Sequence, residues 1–495
     1  MPNGWLGFGV PAPIHVPIPP ELASKIALLA YLGVSQAELK KIWYHREKMY
    51  QSFDVAKKSG KPRLINAPDP RLKFLQRQLA ELLDKLYPVR RPVHGYVLGK
   101  SVKSNAASHL KQRFILNLDI KDFFGSITER RVSGILHVIG VPSDAAETVA
   151  RICCYSGHLP QGGPASPVLS NMICFRLDRT LLRLAKDAKC IYTRYADDIS
   201  LSSLRPLAPL FDGTLPPTGQ IAPELLSAEL QAAFANNGFA LNSEKIHYAD
   251  KHSRRVVTGL KVNDGLNVDR RFVRNVRAAL YAVEKDAAAA QVRYAADFGG
   301  KADISSHIKG KIAWLGNVKG LADPVYRALA LRFNTAFPKQ AIKVQPTRLE
   351  RLDRSVWVIE HHLNDMDKYS QGSVFFLMGV GLVTAAHCVA GVKEATVHHP
   401  SRPSNKFTVS VTHYSKHRDL AILTHAIPAT DFYEMSKSAT AAVTGDPIVA
   451  IGYPDFSPAD KVNFRDGTVS STTVKSLIKL LEVNFRHVRR SGDRP

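Results

Sequence analysis

The stretch Cys190–Ser202, CIYTRYADDISLS, places two adjacent carboxylates, Asp197 and Asp198, inside a segment otherwise rich in β-forming residues. In an extended chain neighbouring side chains point to opposite faces, so a plain strand would send only one of the pair toward any site. A hairpin with Ala-Asp-Asp at its bend removes that difficulty. The flanking runs CIYTRY and ISLSS read as its two strands, which keeps both acids near the tip. Asp-Asp in a turn is also ordinary turn chemistry, so the pair alone does not establish a site.

A second acidic strand supplies the partner that metal-assisted phosphoryl transfer needs. Two divalent ions about 4 Å apart require oxygen ligands drawn from more than one segment. In RFILNLDIKDFFGSI an apolar run leads into Asp119, with Asp122 and the ring pair Phe123 and Phe124 following. A carboxylate at the end of a buried strand is poorly explained as solvated surface, because an unpaired buried charge costs several kcal/mol. Between the two segments lies LPQGGPASPVLSN, Leu159–Asn171, a Gly/Pro-rich turn running into a helix and suited to close approach of backbone to a nucleotide.

These three segments, in this order, resemble the palm of a reverse transcriptase: a strand ending in the first catalytic Asp (Asp119), a Pro-Gln-Gly turn (Pro160–Gly162) and a Tyr-x-Asp-Asp hairpin (Tyr195–Asp198). The resemblance implies that Asp119, Asp197 and Asp198 hold two Mg²⁺ ions, with Mn²⁺ as an alternative. It implies that Phe124 gates the sugar against a 2′-hydroxyl, that Gln161 borders the nucleotide pocket, and that Lys245 assists the pyrophosphate leaving group. Lys58, Lys61 and Arg63 in KKSGKPRLINAP match the fingers region that grips triphosphate, and also suit a solvated basic hairpin.

Two further motifs narrow the resemblance to bacterial retron enzymes. Asn105, Ala106 and His109 in KSNAASHL match their Asn-Ala-x-x-His region, and Val257–Gly259 in VVTGLKVN matches their Val-Thr-Gly element. The resemblance implies RNA contacts at Asn105, His109, Thr258 and Gly259, deoxynucleoside triphosphates as substrates, and a structured noncoding RNA and its DNA product as partners. It also implies priming from a 2′-hydroxyl of that RNA, a branched product, and a part in antiphage defence with a phage or host protein as trigger or substrate. Local capping is the alternative reading of Asn105 and His109.

Composition bounds the remaining choices. With 495 residues, 45% of them hydrophobic, the chain has room for two or three packed domains. Its formal charge of +24 points to an extended polyanion, either nucleic acid or an anionic surface. Five cysteines without C-x-x-C spacing indicate neither a disulfide framework nor a structural zinc site, and fit a reducing cytoplasm. The proline-broken N-terminus lacks a basic leader and reads as an extended arm. The uncharged run Ser373–Val392 is long enough to span a membrane, but its glycines and His387 favour two short buried strands joined by a turn, so no membrane partner is expected.

Along the chain, Gly33 is placed to end one helix and Ser35 to cap the next. Residues 1–20 read as the arm, 21–340 as the polymerase (fingers 21–112, palm 113–263, thumb 264–340), 341–355 as a linker and 356–495 as a β-rich domain. Arg270–Arg277, RRFVRNVR, opens a basic thumb helix; Tyr281 and Tyr294 suit helix packing or base stacking. The long LRPLAPLFDGTLPPTGQIAPELL reads as a surface insertion.

GVGLVTAAHCVAG and HRDLAIL resemble a trypsin-like serine protease, with His387 as general base and Asp419 as its orienting carboxylate. Ser491-Gly492 is the only nearby echo of the nucleophile turn, so an incomplete second barrel is expected, with peptidase activity open. The fold class expected is α+β, a right-hand polymerase followed by an all-β trypsin-like domain. An RNA-regulated protease or protein-binding module, or another bacterial reverse transcriptase class, are the competing readings.

Overall fold

The computed structural model describes residues 17–56, 62–299, 302–363, 368–454, 456–458, 460–475 and 478–485, and the chain divides between Ile342 and Lys343 into two units. In the first, α1 (Lys25–Leu32) and α2 (Gln36–His45) start where Ser24 and Ser35 accept backbone N–H bonds, and Gly33 closes α1 at φ 62°. The antiparallel hairpin of β1 (Tyr50–Ala56) and β2 (Pro62–Pro68) leads to α3 (Pro70–Asp84), whose first-turn proline and Asp69 cap set its start. The short α4 (Val102–Ala107) is fixed by a capping box of Ser101 and Ser104.

The palm follows. In chain order it comprises β3 (Phe114–Asp119), α5 (Glu129–Ile139), α6 (Ser143–Cys153), α7 (Ser166–Ile173) and α8 (Phe175–Asp187), then β4 (Ile191–Tyr195), β5 (Asp198–Ser203), β6 (Gly219–Gln220), α9 (Ala228–Ala235) and β7 (His247–Ala249). The strands form one sheet in the order β4-β5-β3-β7-β6. Alternation gives it two unlike faces. Leu116, Leu118, Ile199, Leu201 and Tyr192 join the main apolar core with the helices. In-register Thr193, Ser200 and Asn117, then Asp198 and Asp119, share the opposite face. Against that polar face packs the small hairpin of β8 (Val256–Val257) and β9 (Leu260–Lys261), with Asn117 donating to the Val256 carbonyl at 2.8 Å.

The segment expected as a surface insertion is in part structural. Its Leu207, Leu210, Phe211 and Leu226 are buried, Phe211 packs edge-on to Tyr248 at 5.1 Å, and β6 extends the palm sheet. The sequence hid this because its apolar residues are spaced by prolines and follow neither a helical nor a strand period.

Four helices complete the unit: α10 (Arg270–Lys285), α11 (Ala287–Phe298), α12 (Ile304–Lys319) and α13 (Pro324–Ala336). Each starts on an aspartate cap, at Asp269, Asp286, Asp303 and Asp323. Val276, Leu280 and Val283 bury one stripe of α10, which leaves Arg270, Arg274, Arg277 and Tyr281 exposed along another. Tyr294 instead stacks on Phe298 at 4.7 Å, as helix packing.

The second unit begins inside the expected linker. Residues there form helix α14 (Arg348–Ser355), begun by a capping box of Thr347 and Glu350 that a Pro- and charge-rich composition masked. Strands β10 (Val356–Leu363), β11 (Lys368–Leu377), β12 (Gly381–Thr384), β13 (Glu394–His398), β14 (Phe407–Ser415) and β15 (Leu420–Thr424) close a barrel in the order β10-β11-β12-β15-β14-β13. Trp357, Phe376, Leu382, Val397 and Leu423 fill it. The apolar run at 373–392 thus becomes the end of β11, a tight turn and β12, with Leu377 paired to Gly381. Beyond lies a three-stranded antiparallel sheet of β16 (Pro447–Gly452), β17 (Asn463–Lys475) and β18 (Ile478–Phe485). No helix among the described residues is long and apolar enough to cross a membrane.

Candidate active site

The Cys190–Ser202 stretch folds as a hairpin in which Tyr195 pairs with Asp198 across a two-residue bend, Ala196–Asp197. Ala196 takes φ 58°, a left-handed conformation that costs a non-glycine residue roughly 1–2 kcal/mol and that tight hairpins require. Asp198 is then the first residue of β5 and Asp119 the last of β3, and the two are register partners. Asp197 is tied to the same place, because its carbonyl accepts the Ile120 N–H at 3.2 Å. The bend answers the alternation problem: Asp198 follows the strand and Asp197 the turn, so both acids reach Asp119.

Electrostatics record the crowding. Desolvation, with the Asp119 charge added, raises the Asp197 carboxyl, against the opposing pull of Lys245 and Arg63. Desolvation and the charges of Asp197 and Asp119 push Asp198 up to about 7, although that residue keeps an edge open to solvent. Asp198 is exposed, so solvent weakens both causes, and the like charges are the one fixed by the geometry of the bend. Lys245 sets its ammonium 2.7 Å from Asp119 Oδ2, and Asn242 donates to Asp119 Oδ1 at 2.9 Å.

Three hard oxygen donors, with the Asp197 and Asp198 carboxyls pushed up by burial and by their acidic neighbours and a lysine ammonium seated on Asp119, suit a divalent cation. Among the described residues no group of three or more His, Cys, Asp and Glu side chains is placed, as it stands, to hold a metal ion. Lys245 stands in for cation charge in this arrangement. Asp119 is buried at the end of its strand, Asp197 is half-buried and Asp198 is exposed.

Around this centre stand the other expected residues. Phe124 is half-buried, its ring 5.2 Å from Phe123 and 6.3 Å from Tyr96. Gln161 sits in the Pro-Gln-Gly turn, and its carbonyl accepts the Asn66 N–H of β2 at 2.9 Å. Gly162 permits that approach, since a Cβ there would come within 2.8 Å of the Asn66 carbonyl. The charge of Arg63 is felt at Asp197 and at Tyr96, while Lys58 and Lys61 lie outside the described residues.

The two motifs expected to contact RNA meet each other. Asn105 donates to Thr258 Oγ1 at 3.4 Å, and Thr258 Oγ1 donates to the Val102 carbonyl at 3.2 Å. Thr258 and Gly259 both take positive φ, 45° and 80°, an unusual conformation for a β-branched residue. Gly259 is exposed and Thr258 half-buried. His109 is placed otherwise than expected. It is wholly buried, with one ring nitrogen 2.6 Å from Ser202 Oγ and the other 2.6 Å from Thr193 Oγ1. Burial and the neighbouring His94 push it down to about 3, so a neutral ring joins α4 to the polar face of the sheet and has no nitrogen left for RNA. Asn105 is also buried, and its Oδ1 lacks a partner.

Some residues at the centre carry no sequence signal of their own. Tyr96, with φ 59°, faces Phe124; Gly95 lies against the bend, where a Cβ would come within 2.2 Å of the Ala196 nitrogen. Behind the bend Arg194 and Asp178 form a fully buried pair. Only the spacing Arg-Tyr-Ala-Asp-Asp could have pointed to Arg194.

In the second unit His387 Nδ1 lies 2.8 Å from Asp419 Oδ2, and the His387 N–H donates to Asp419 Oδ1 at 3.0 Å. Those bonds hold the Asp419 carboxyl below its ordinary range. Both side chains are open to solvent, 73% and 54% exposed, unlike the buried carboxylate of a working triad. Ser491 lies outside the described residues.

Comparison with known proteins agrees with this division. Residues 55–262 match the family model described as reverse transcriptase (RNA-dependent DNA polymerase), and residues 372–490 match that of a trypsin-like peptidase domain. The retron Ec86 reverse transcriptase of Escherichia coli is 30% identical over 302 residues, which cover 60% of this chain and 84% of that protein. The retron Mx65 and Mx162 reverse transcriptases of Myxococcus xanthus are 36% and 33% identical, over 51% and 53% of this chain. The chain spans 61% and 59% of the length of those two relatives. Among solved structures, the Rv3671c protease of M. tuberculosis in its active form aligns with 27% of this chain and 59% of its own, at 21% identity and a TM-score of 0.22.

Proposed function

This chain belongs to the retron reverse transcriptases, and from that premise we propose that it copies a structured noncoding RNA into single-stranded DNA joined to that RNA through a 2′-hydroxyl. The observation that carries the reading is the register pairing of Asp119 with Asp198 beside the Ala196–Asp197 bend, which gathers three carboxylates at one point of an open, polar-edged sheet.

Asp119, Asp197 and Asp198 would hold two Mg²⁺ ions, which supply charge neutralisation and a more acidic attacking hydroxyl. In the reaction the hydroxyl oxygen bonds to the α-phosphorus, the bond to pyrophosphate breaks, and the hydroxyl proton is lost. Lys245, placed at Asp119, is within the site to offer a proton or charge to the departing pyrophosphate. Gln161 and Phe124 border the nucleotide, and Arg63 adds positive charge on its triphosphate side. The exposed row Arg270, Arg274 and Arg277 tracks phosphates, with Tyr281 beyond them on the same helical face. The Thr258–Gly259 turn presents exposed, fixed backbone to the RNA, with Asn105 bracing it from beneath.

The trypsin-like unit supports a second activity or a binding role through the formed His387–Asp419 pair. Binding of a phage or host protein, as trigger or substrate in defence, is the reading we attach to it, with Ser491 as the candidate nucleophile.

The test is to express the chain with its native locus, extract nucleic acid, and treat it with debranching enzyme. A mobility shift, lost in Asp197→Asn, is expected. Abundant single-stranded DNA without a shift would overturn branching, and no DNA at all would overturn polymerase function.

A further inference from the structure

Two residues before the catalytic bend in sequence, a side chain reaches behind it. Arg194 in β4 is fully buried, as is Asp178 in α8. Arg194 Nε donates to Asp178 Oδ1 at 2.7 Å and one terminal nitrogen donates to Oδ2 at 2.8 Å, a two-pronged bond of fixed orientation. Tyr192 adds its hydroxyl to Asp178 Oδ1 at 2.6 Å. A buried ion pair contributes little net stability over an apolar pair of similar volume, so stability alone is a weak reason for one here.

The remaining terminal nitrogen points to the role. It donates at 3.1 Å to the carbonyl of Ala196, the left-handed residue directly before Asp197. It also donates at 3.1 Å to Asn171 Oδ1 on α7, the helix that issues from the Pro-Gln-Gly turn. Asn171 in turn donates to the Gly95 carbonyl at 3.0 Å, and Gly95 lies so near the bend that a Cβ there would come within 2.2 Å of the Ala196 nitrogen. The bend is therefore held from behind at its carbonyl, and Asn171 links that bond to the Gly95 backbone beside the bend.

We propose that Arg194 is a positioning residue for the polymerase centre, its Asp178-anchored guanidinium and Asn171 together fixing the Ala196–Asp197 bend so that Asp197 and Asp198 present their oxygens to the metal ions. This rests on the reading of Asp119, Asp197 and Asp198 as the metal-holding centre. Lysine cannot replace this arginine, because a single ammonium cannot engage both Asp178 oxygens, Asn171 and the Ala196 carbonyl together.

The test uses the full chain with Arg194→Lys and Asn171→Ser. Mn²⁺ binding is followed by electron paramagnetic resonance, independently of turnover, beside the Mg²⁺ dependence of primer extension, noncoding RNA affinity and melting temperature. The expected result for Asn171→Ser is Mn²⁺ affinity weakened at least about tenfold and a matching rise in the Mg²⁺ needed for half-maximal extension, with RNA affinity within about twofold. Folded Arg194→Lys should behave likewise. If that variant fails to fold, Asn171→Ser, which leaves the ion pair intact, decides. Folded variants with wild-type Mn²⁺ affinity, and with only their melting temperature lowered, would overturn the proposal. A wild-type chain that binds Mn²⁺ yet extends no primer would overturn the polymerase reading while leaving the positioning of the metal-holding carboxylates by Arg194 standing.

Discussion

The Lys245 ammonium lies 2.7 Å from Asp119 Oδ2, so one of the three acids at the centre is already paired with a cation of the chain itself. The lysine side chain is 56% exposed and the aspartate 4%, which makes the lysine the mobile partner. Lys245→Gln removes a competitor for Asp119 and also removes charge from the leaving-group side. Mn²⁺ should therefore bind more tightly while single-turnover nucleotide addition slows about 10²-fold. Unchanged turnover would assign Lys245 to structure only.

Asp198 sets a pH dependence. Its folded-state carboxyl titrates at about 7, above the ordinary aspartate value of about 3.9, so the folded chain retains a proton that the unfolded chain releases. Stability without metal should fall as pH rises through that window. Because metal binding needs the ionised carboxylate, Mg²⁺ should raise the melting temperature more at about pH 8 than at about pH 6. Differential scanning fluorimetry checks this, with Asp198→Asn expected to flatten both trends.

Gly95→Ala tests the bend from its other side. A Cβ there would meet the Ala196 nitrogen at 2.2 Å, a backbone atom that cannot swing away. Primer extension should drop at least about tenfold with RNA binding retained, since a 1 Å misplacement at a reacting centre can cost about 10²-fold. Wild-type extension would mean that the bend has slack.

For the trypsin-like unit, labelling by a fluorophosphonate probe separates a peptidase from a binding module. Labelling lost in Ser491→Ala and in His387→Ala, but kept in Asp197→Asn, is the outcome expected of a peptidase. The absence of any labelling, with DNA synthesis intact, assigns the unit to binding.

How far the sequence could be read follows from the range of the interactions. The Ala-Asp-Asp hairpin, the Asp119 strand, and the helix stop and start at Gly33 and Ser35 rest on local chemistry, and were legible. The β-strand pair at 373–392 was legible for the same reason. Arg194 looked like one more basic residue in a basic chain, because its partners Asp178 and Asn171 are 16 and 23 positions away and lie on helices. His109 read as surface chemistry, yet its hydroxyl partners come from two strands at separations of 84 and 93 residues. The capping box at Thr347 is masked in the sequence because the surrounding prolines read as a linker.

The Pro92–Gly95 segment runs alongside β4, with Val93 bridging Arg194 in parallel, the His94 N–H donating to the Arg194 carbonyl, and the Arg194 N–H donating to the Pro92 carbonyl. On that flank the palm's outermost strand has its hydrogen-bonding groups satisfied at Arg194 by its own chain, and on the other flank β6 is only two residues long. At Arg194 a foreign β-segment would find no free backbone group to zip onto. A partner meeting the palm at that point has to be chosen by the side chains it touches rather than by backbone pairing.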